Sequence, residues 1–145
     1  MNQKVKKNPG RKLFIFWRKA FGKKEDFMNI EFNKKGDIGI VSITGRLIVT
    51  NARVFKEGFP DIIEKSNLIV LDLAEMEYVD SMGLGSIISL YKALQEVDGD
   101  LCIANLQSKP KTLFQITKVY LIFDVFDTVD EAVDAMQKKY DQRMT

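Results

Sequence analysis

The sequence predicts an α/β fold: a mixed, centrally parallel β-sheet of about five strands with about four helices against it. Three observations predict it. Short apolar runs alternate with longer amphipathic stretches from Asn29 onward. The segment Leu68-Ile69-Val70-Leu71-Asp72-Leu73 is almost continuously hydrophobic, as a strand covered on both faces must be. Finally, 145 residues of which 46% are hydrophobic suffice for one packed core and are too few for two comfortable ones.

Ile30 and Phe32 alternate with polar neighbours, and Lys34-Lys35-Gly36-Asp37 reads as a tight turn. Ile38, Ile40, Val41 and Ile43 then form a second strand running into Gly45. Thr50 or Asn51 can cap a helix reaching residue 65, with Val54, Phe55, Phe59, Ile62 and Ile63 on its apolar side. Gly58 and Pro60 interrupt that helix and predict a bend or two short pieces. After the strand at 68–73, a helix over 82–97 closes at Gly99, and 101–106 is another buried strand. Pro110 suits the first turn of a helix running to 118, and 121–126 reads as a short strand. Thr128 with Glu131 three residues on is a capping box, starting a last helix with Val133, Met136 and Tyr140 on its apolar face. The order is β-β-α-β-α-β-α-β-α, with no internal repeat.

Charge divides the chain. The total of 22 basic and 20 acidic residues nearly balances. Yet residues 1–24 hold nine basic side chains and no acidic one, which leaves 13 basic and 20 acidic groups beyond them. The composition shifts near 24–29, so residues 1–28 read as a basic, aromatic arm or short amphipathic helix and 29–145 as the domain. If 11–23 is helical, Leu13, Phe14, Trp17 and Phe21 share a face. Such a segment suits, in order, an unstructured or partner-docking arm, an anionic membrane surface met through Lys12, Trp17, Arg18 and Phe21, and last nucleic acid.

Composition also excludes function classes. Without histidine there is no Ser-His-Asp triad, no Cys-His pair and no zinc site containing histidine. The single Cys102 lies in the apolar run Leu101-Cys102-Ile103-Ala104, where a thiol is buried and inert, and it forbids an internal disulfide or a CxxC motif. No apolar run approaches the ~20 residues of a membrane span, and residues 13–17 are too short for a secretory signal. No catalytic set, metal site or cofactor is expected.

The informative stretch is Tyr78-Val79-Asp80-Ser81-Met82-Gly83-Leu84-Gly85, which follows the buried strand and opens a helix. Packing alone explains much of it, since Asp80 or Ser81 caps the helix and the glycines allow close approach. A dinucleotide turn is a poor match, because position 88 is Ile88 where the third glycine belongs. A serine at a helix N-terminus can also accept a phosphoryl group, which the helix dipole favours and which adds a charge of about −1.5 to −2. Leu84, Ile87, Ile88, Tyr91 and Leu94 form the stripe facing the sheet, while Met82, Ser86, Ser89 and Ala93 form a smooth second stripe suited to a partner.

These residues resemble the STAS domains of the bacterial anti-anti-sigma factor family, whose signature is Asp-Ser-Ser/Thr-Gly-Leu-Gly. Leu71-Asp72-Leu73, Gly45-Arg46-Leu47, Phe114-Gln115-Ile116-Thr117, Ile122-Phe123, Phe126 and Glu131-Ala132 follow the family as well. The resemblance covers about residues 29–140 and implies the STAS fold. It implies an anti-sigma factor antagonist, a binding module and no enzyme. An anti-sigma factor that is itself a serine kinase would phosphorylate Ser81, and a serine phosphatase would reset it. Asp80, Met82, Gly83, Ser86 and Ser89 would form the partner surface in a cytoplasmic protein, with no direct nucleic-acid contact. Two departures stand out: Met82 replaces the family's second Ser/Thr, and Ile48 stands where an aspartate often follows Gly-x-Leu. The rival expectation is a constitutive STAS module of a membrane-associated complex, similar to those of lipid transporters, recruited by the basic arm to the inner face of the membrane.

Overall fold

The computed structural model describes the backbone of residues 4–8, 12–17 and 27–144, and the side chains of residues 27–144. Strands β1 (Lys4–Asn8), β2 (Lys12–Trp17), β3 (Met28–Lys35) and β4 (Ile38–Leu47) pair antiparallel in sequence order. Helices α1 (Ala52–Glu57) and α2 (Phe59–Lys65) follow, then β5 (Leu68–Asp72), which pairs parallel with β4. Short β6 (Met76–Val79) pairs parallel with the far end of β4. Helix α3 (Ser81–Gln95), β7 (Asp100–Ala104), α4 (Ser108–Ile116), a 3-10 turn (Val119–Leu121), two-residue β8 (Val125–Phe126) and α5 (Val129–Met144) complete the described chain. The sheet order is β1-β2-β3-β4-β5-β7-β8, mixed and parallel from β4 onward.

Alternation along the central strands builds two cores. Ile69, Leu71, Leu101 and Ile103 join Val41 and Ile43 under α1 to α4. Their neighbours Leu68, Val70, Cys102 and Ala104 face the other way, under Ala132 and Met136 of α5. Both faces of β5 and β7 are therefore dry, which explains their unbroken hydrophobicity. Burial, followed by the nearby Asp100 and Asp124 charges, pushes the Cys102 thiol up to about 12, so it stays protonated and unreactive.

The five anticipated strands lie close to their expected places except the last. Residues 119–121 form a 3-10 turn, and only Val125 and Phe126 pair with β7. Leu121 and Ile122 are exposed, so their hydrophobicity marks no strand interior. Gly58 splits the first helix as Gly58 and Pro60 predicted, and Pro60 enters the first turn of α2. Asn51 precedes α1 but makes no side-chain cap; it is fully buried, accepting from the Ile48 N–H at 2.9 Å and donating to the Arg46 carbonyl at 2.8 Å. Half of the expected capping box of α5 is present: the Glu131 N–H donates to Thr128 Oγ1 at 3.1 Å, while the Glu131 carboxylate accepts from the Thr128 hydroxyl at 3.3 Å rather than from its backbone N–H.

The arm requires a larger correction. Residues 12–17 form a strand rather than part of an amphipathic helix, with Leu13 opposite Phe32 and Ile15 opposite Ile30. The run Leu13-Phe14-Ile15-Phe16-Trp17 is rich in β-forming residues, and the open edge of β3 offers it a ladder. The helical face joining Leu13, Phe14 and Trp17 therefore does not form. Arg18 and Phe21, named above for membrane contact, lie outside the described residues. Among the described residues, no helix is long and apolar enough to cross a membrane.

Candidate functional site

The site is assembled at the start of α3, where β6 and the β4–α1 loop converge. Gly45 makes this possible. Its φ of +93° and a Cβ position only 2.3 Å from the Phe27 carbonyl admit glycine alone. The pairing of β4 with β6 shifts register just after it. The β4 end then delivers Leu47 to the base of α3, where the Asp80 N–H donates to the Leu47 carbonyl at 3.2 Å.

Asp80 is the clamp. One carboxylate oxygen accepts the Gly83 N–H at 2.8 Å and caps α3. The other accepts the Val49 N–H at 2.9 Å, which ties the β4–α1 loop to the helix. Gly83 completes the junction, since a Cβ there would lie 2.0 Å from the Leu47 carbonyl oxygen. The anticipated close approach thus holds for Gly83, whereas Gly85 faces open space.

Ser81 is the first residue of α3 and is exposed. Because Asp80 supplies the cap, the Ser81 hydroxyl takes no part in the hydrogen bonding of the described residues. Met82 beside it is 56% exposed, and Val49 on the clamped loop is 60% exposed. Tyr78 on β6 is also exposed, with the Arg46 guanidinium carbon 4.5 Å from its ring centroid. Three exposed side chains from three elements, Val49, Tyr78 and Met82, thus lie near the N-terminal end of α3.

The partner residues anticipated from sequence separate into two groups. Met82 and Ser81 are presented to solvent, and Asp80 is half-buried at the junction. Ser89 is half-buried, its hydroxyl donating to the Gly85 carbonyl at 3.0 Å. Ser86 and Gly83 are not surface residues. Ser86 is fully buried and donates to the Gly83 carbonyl at 2.6 Å. The correction has a geometric cause: Gly83, Ser86 and Leu90, spaced three and four apart, form a second buried stripe where the β4–α1 loop and α1 pack on α3. Small residues there let the elements approach.

Sequence reasoning quoted Tyr78 and Arg46 within the family pattern without giving them a place at the site, and it missed Val49. The one signal for Val49 was the unbroken apolar Leu47-Ile48-Val49 leaving a strand for a loop. Ile48 keeps its side chain at the edge of the core, so Val49 is the residue turned outward. Asp72, deeper in the signature, is a brace: its Oδ1 accepts from the Ala74 N–H at 3.1 Å and from Asn105 Nδ2 at 3.0 Å.

Comparison with known proteins places this geometry. The anti-sigma-B factor antagonist of Bacillus subtilis is 28% identical over 98 residues, 68% of this chain and 90% of that protein. The crystal structure of an anti-sigma factor antagonist from Mycobacterium paratuberculosis superposes with a TM-score of 0.71 at 18% identity, covering 77% of this chain and 96% of that one. The Bacillus determinant SpoIIAA superposes in an unphosphorylated and a phosphorylated form, each at 16% identity. Its unphosphorylated form gives a TM-score of 0.65 over 75% of this chain and 96% of that one, and its phosphorylated form gives 0.58 over 73% and 97%. Residues 29–132 match the STAS domain, and the chain belongs to that family.

Proposed function

We propose that this protein is an anti-sigma factor antagonist that switches partners through Ser81. Unphosphorylated, it binds an anti-sigma factor that is also a serine kinase and so frees a sigma factor for transcription. Transfer of the terminal phosphoryl group of ATP to Ser81 Oγ, with loss of the hydroxyl proton, ends that binding. A serine phosphatase hydrolyses the ester and resets the protein. The chain acts as a cytoplasmic binding module and kinase substrate, not as a catalyst, and needs no cofactor.

The observation that carries this reading is the spare hydroxyl of Ser81 at the start of a helix already capped by Asp80. A phosphoryl group there meets the positive end of the helix dipole, so α3 survives the modification. The added charge of about −1.5 to −2 lies next to the Asp80 carboxylate and the exposed Met82. An apolar docking surface becomes strongly anionic while the fold stays intact. The names of the relatives and the phosphorylated form of one of them, SpoIIAA, support the same assignment.

Capture from native lysate with wild type, Ser81→Ala and Ser81→Asp tests it. The alanine form should retain a kinase-type partner, the aspartate form should lose it, and mass spectrometry should find phosphate on Ser81 of the native protein. Identical partners for all three forms with no phosphate at Ser81 would refute the switch and favour a fixed module of a membrane-associated complex.

A further inference from the structure

Large exposed hydrophobic residues are not spread evenly. Of the eleven among the described residues, Ile116, Tyr120, Leu121, Ile122 and Val125 fall within ten positions. Ile116 and Leu121 are each 72% exposed. Isolated exposed apolar side chains need no explanation, but five within ten positions call for one.

Local structure puts them there. On α4, Pro110 and Phe114 face the core, so Lys109, Thr112 and Ile116, three and four residues apart, share the opposite face. Lys118 then adopts a left-handed conformation, φ 58°, and the chain turns sharply into the 3-10 segment. Val119 points inward and Tyr120, Leu121 and Ile122 outward. The result is a turn whose outward side carries exposed apolar side chains.

Charge says what this turn meets. Between Asp100 and Asp124 there is no acidic residue, and Lys109, Lys111 and Lys118 are the three charges of that stretch. The chain beyond residue 24 otherwise has an excess of acidic groups, so this is a local reversal. Asp124, at its border, lies 3.7 Å from Lys139, and the exposed Asp127 follows beyond β8. A second copy of the chain is a poor occupant, because a two-fold contact would bring the three lysines against themselves.

We infer that the turn joining α4 to the 3-10 segment is a peripheral docking surface for an anionic lipid bilayer. Ile116, Leu121 and Ile122 enter the boundary between headgroups and acyl chains, Tyr120 sits at the interface, and Lys109, Lys111 and Lys118 meet lipid phosphates. Helix α4 packs against β6, the strand that carries Tyr78 to the Ser81 site, so the two surfaces are neighbours, but the inference does not rest on the switch at Ser81.

Co-sedimentation of the full chain with vesicles of equimolar phosphatidylglycerol and phosphatidylcholine, against pure phosphatidylcholine, tests the inference. Wild type should bind the anionic vesicles, more weakly as salt rises. The double variant Ile116→Ser, Leu121→Ser and the triple variant Lys109→Gln, Lys111→Gln, Lys118→Gln should each bind at least about tenfold more weakly. Circular dichroism checks that they fold, and if the serine variant does not, the lysine variant still decides. A control with Lys4→Gln, Lys6→Gln and Lys7→Gln should bind as wild type does. Three outcomes would overturn the inference: no sedimentation of wild type, binding lost only in the arm control, or a dimer in solution that the serine variant abolishes.

Discussion

Helices α3 and α5 both begin at a polar cap, and the two caps are built differently. At α5 the Glu131 N–H donates to Thr128 Oγ1, and the Thr128 hydroxyl lies 3.3 Å from the Glu131 carboxylate. Every partner falls within four residues. At α3 the Asp80 carboxylate spends one oxygen on Gly83 and the other on Val49, a residue 31 positions earlier. A local cap only starts a helix. A cap tied to a second element also fixes what surrounds the helix end, and the candidate switch Ser81 stands on that kind.

The comparison can be broken by substitution. Gly83→Ala should have the largest effect. Its Cβ would meet the Leu47 carbonyl at 2.0 Å, so α3 must move or the fold lose about 3 kcal/mol or more, visible as a lowered urea midpoint. A wild-type midpoint would mean the junction is loose. Next, Asp80→Ala should cost about 2 kcal/mol, because two backbone donors lose their acceptor, against about 1 kcal/mol for Thr128→Ala. Equal losses would show that the tie to Val49 contributes nothing. Smallest of all, Ser81→Ala should change stability by less than about 0.5 kcal/mol, since its hydroxyl holds nothing in the fold. A larger loss would place Ser81 in the cap and weaken its case as a switch.

Much of this architecture was legible because burial on two faces leaves a strong pattern. The runs that became β5 and β7 are hydrophobic at successive positions, and no loop tolerates that without cover. β6 left no such trace. It has four residues, its two central ones are exposed, and its pairing with β4 slips register directly after the first pair, Gly45 with Met76. The 121–126 stretch misled in the opposite direction, since hydrophobicity reports what a side chain favours and not whether it is covered. Ser86 failed for a related reason. A single helical stripe predicts one buried face, and α3 has two, because α1 and its loop pack against it as well as the sheet.

Sequence by itself determined the α/β order, the split of the first helix at Gly58 and Pro60, the Thr128 cap and the family signature around Ser81. Each rests on local chemistry: a fixed proline φ, a short-range hydrogen bond, or a periodicity within one element. Only the tertiary structure decided that Asp80 clamps the Val49 loop, that Ser86 lies inside while Val49 and Tyr78 rim the site, and that residues 12–17 extend the sheet. Those outcomes depend on which distant element supplies the missing donor, cover or strand edge, and such a partner is set by packing across the fold rather than by neighbours along the chain.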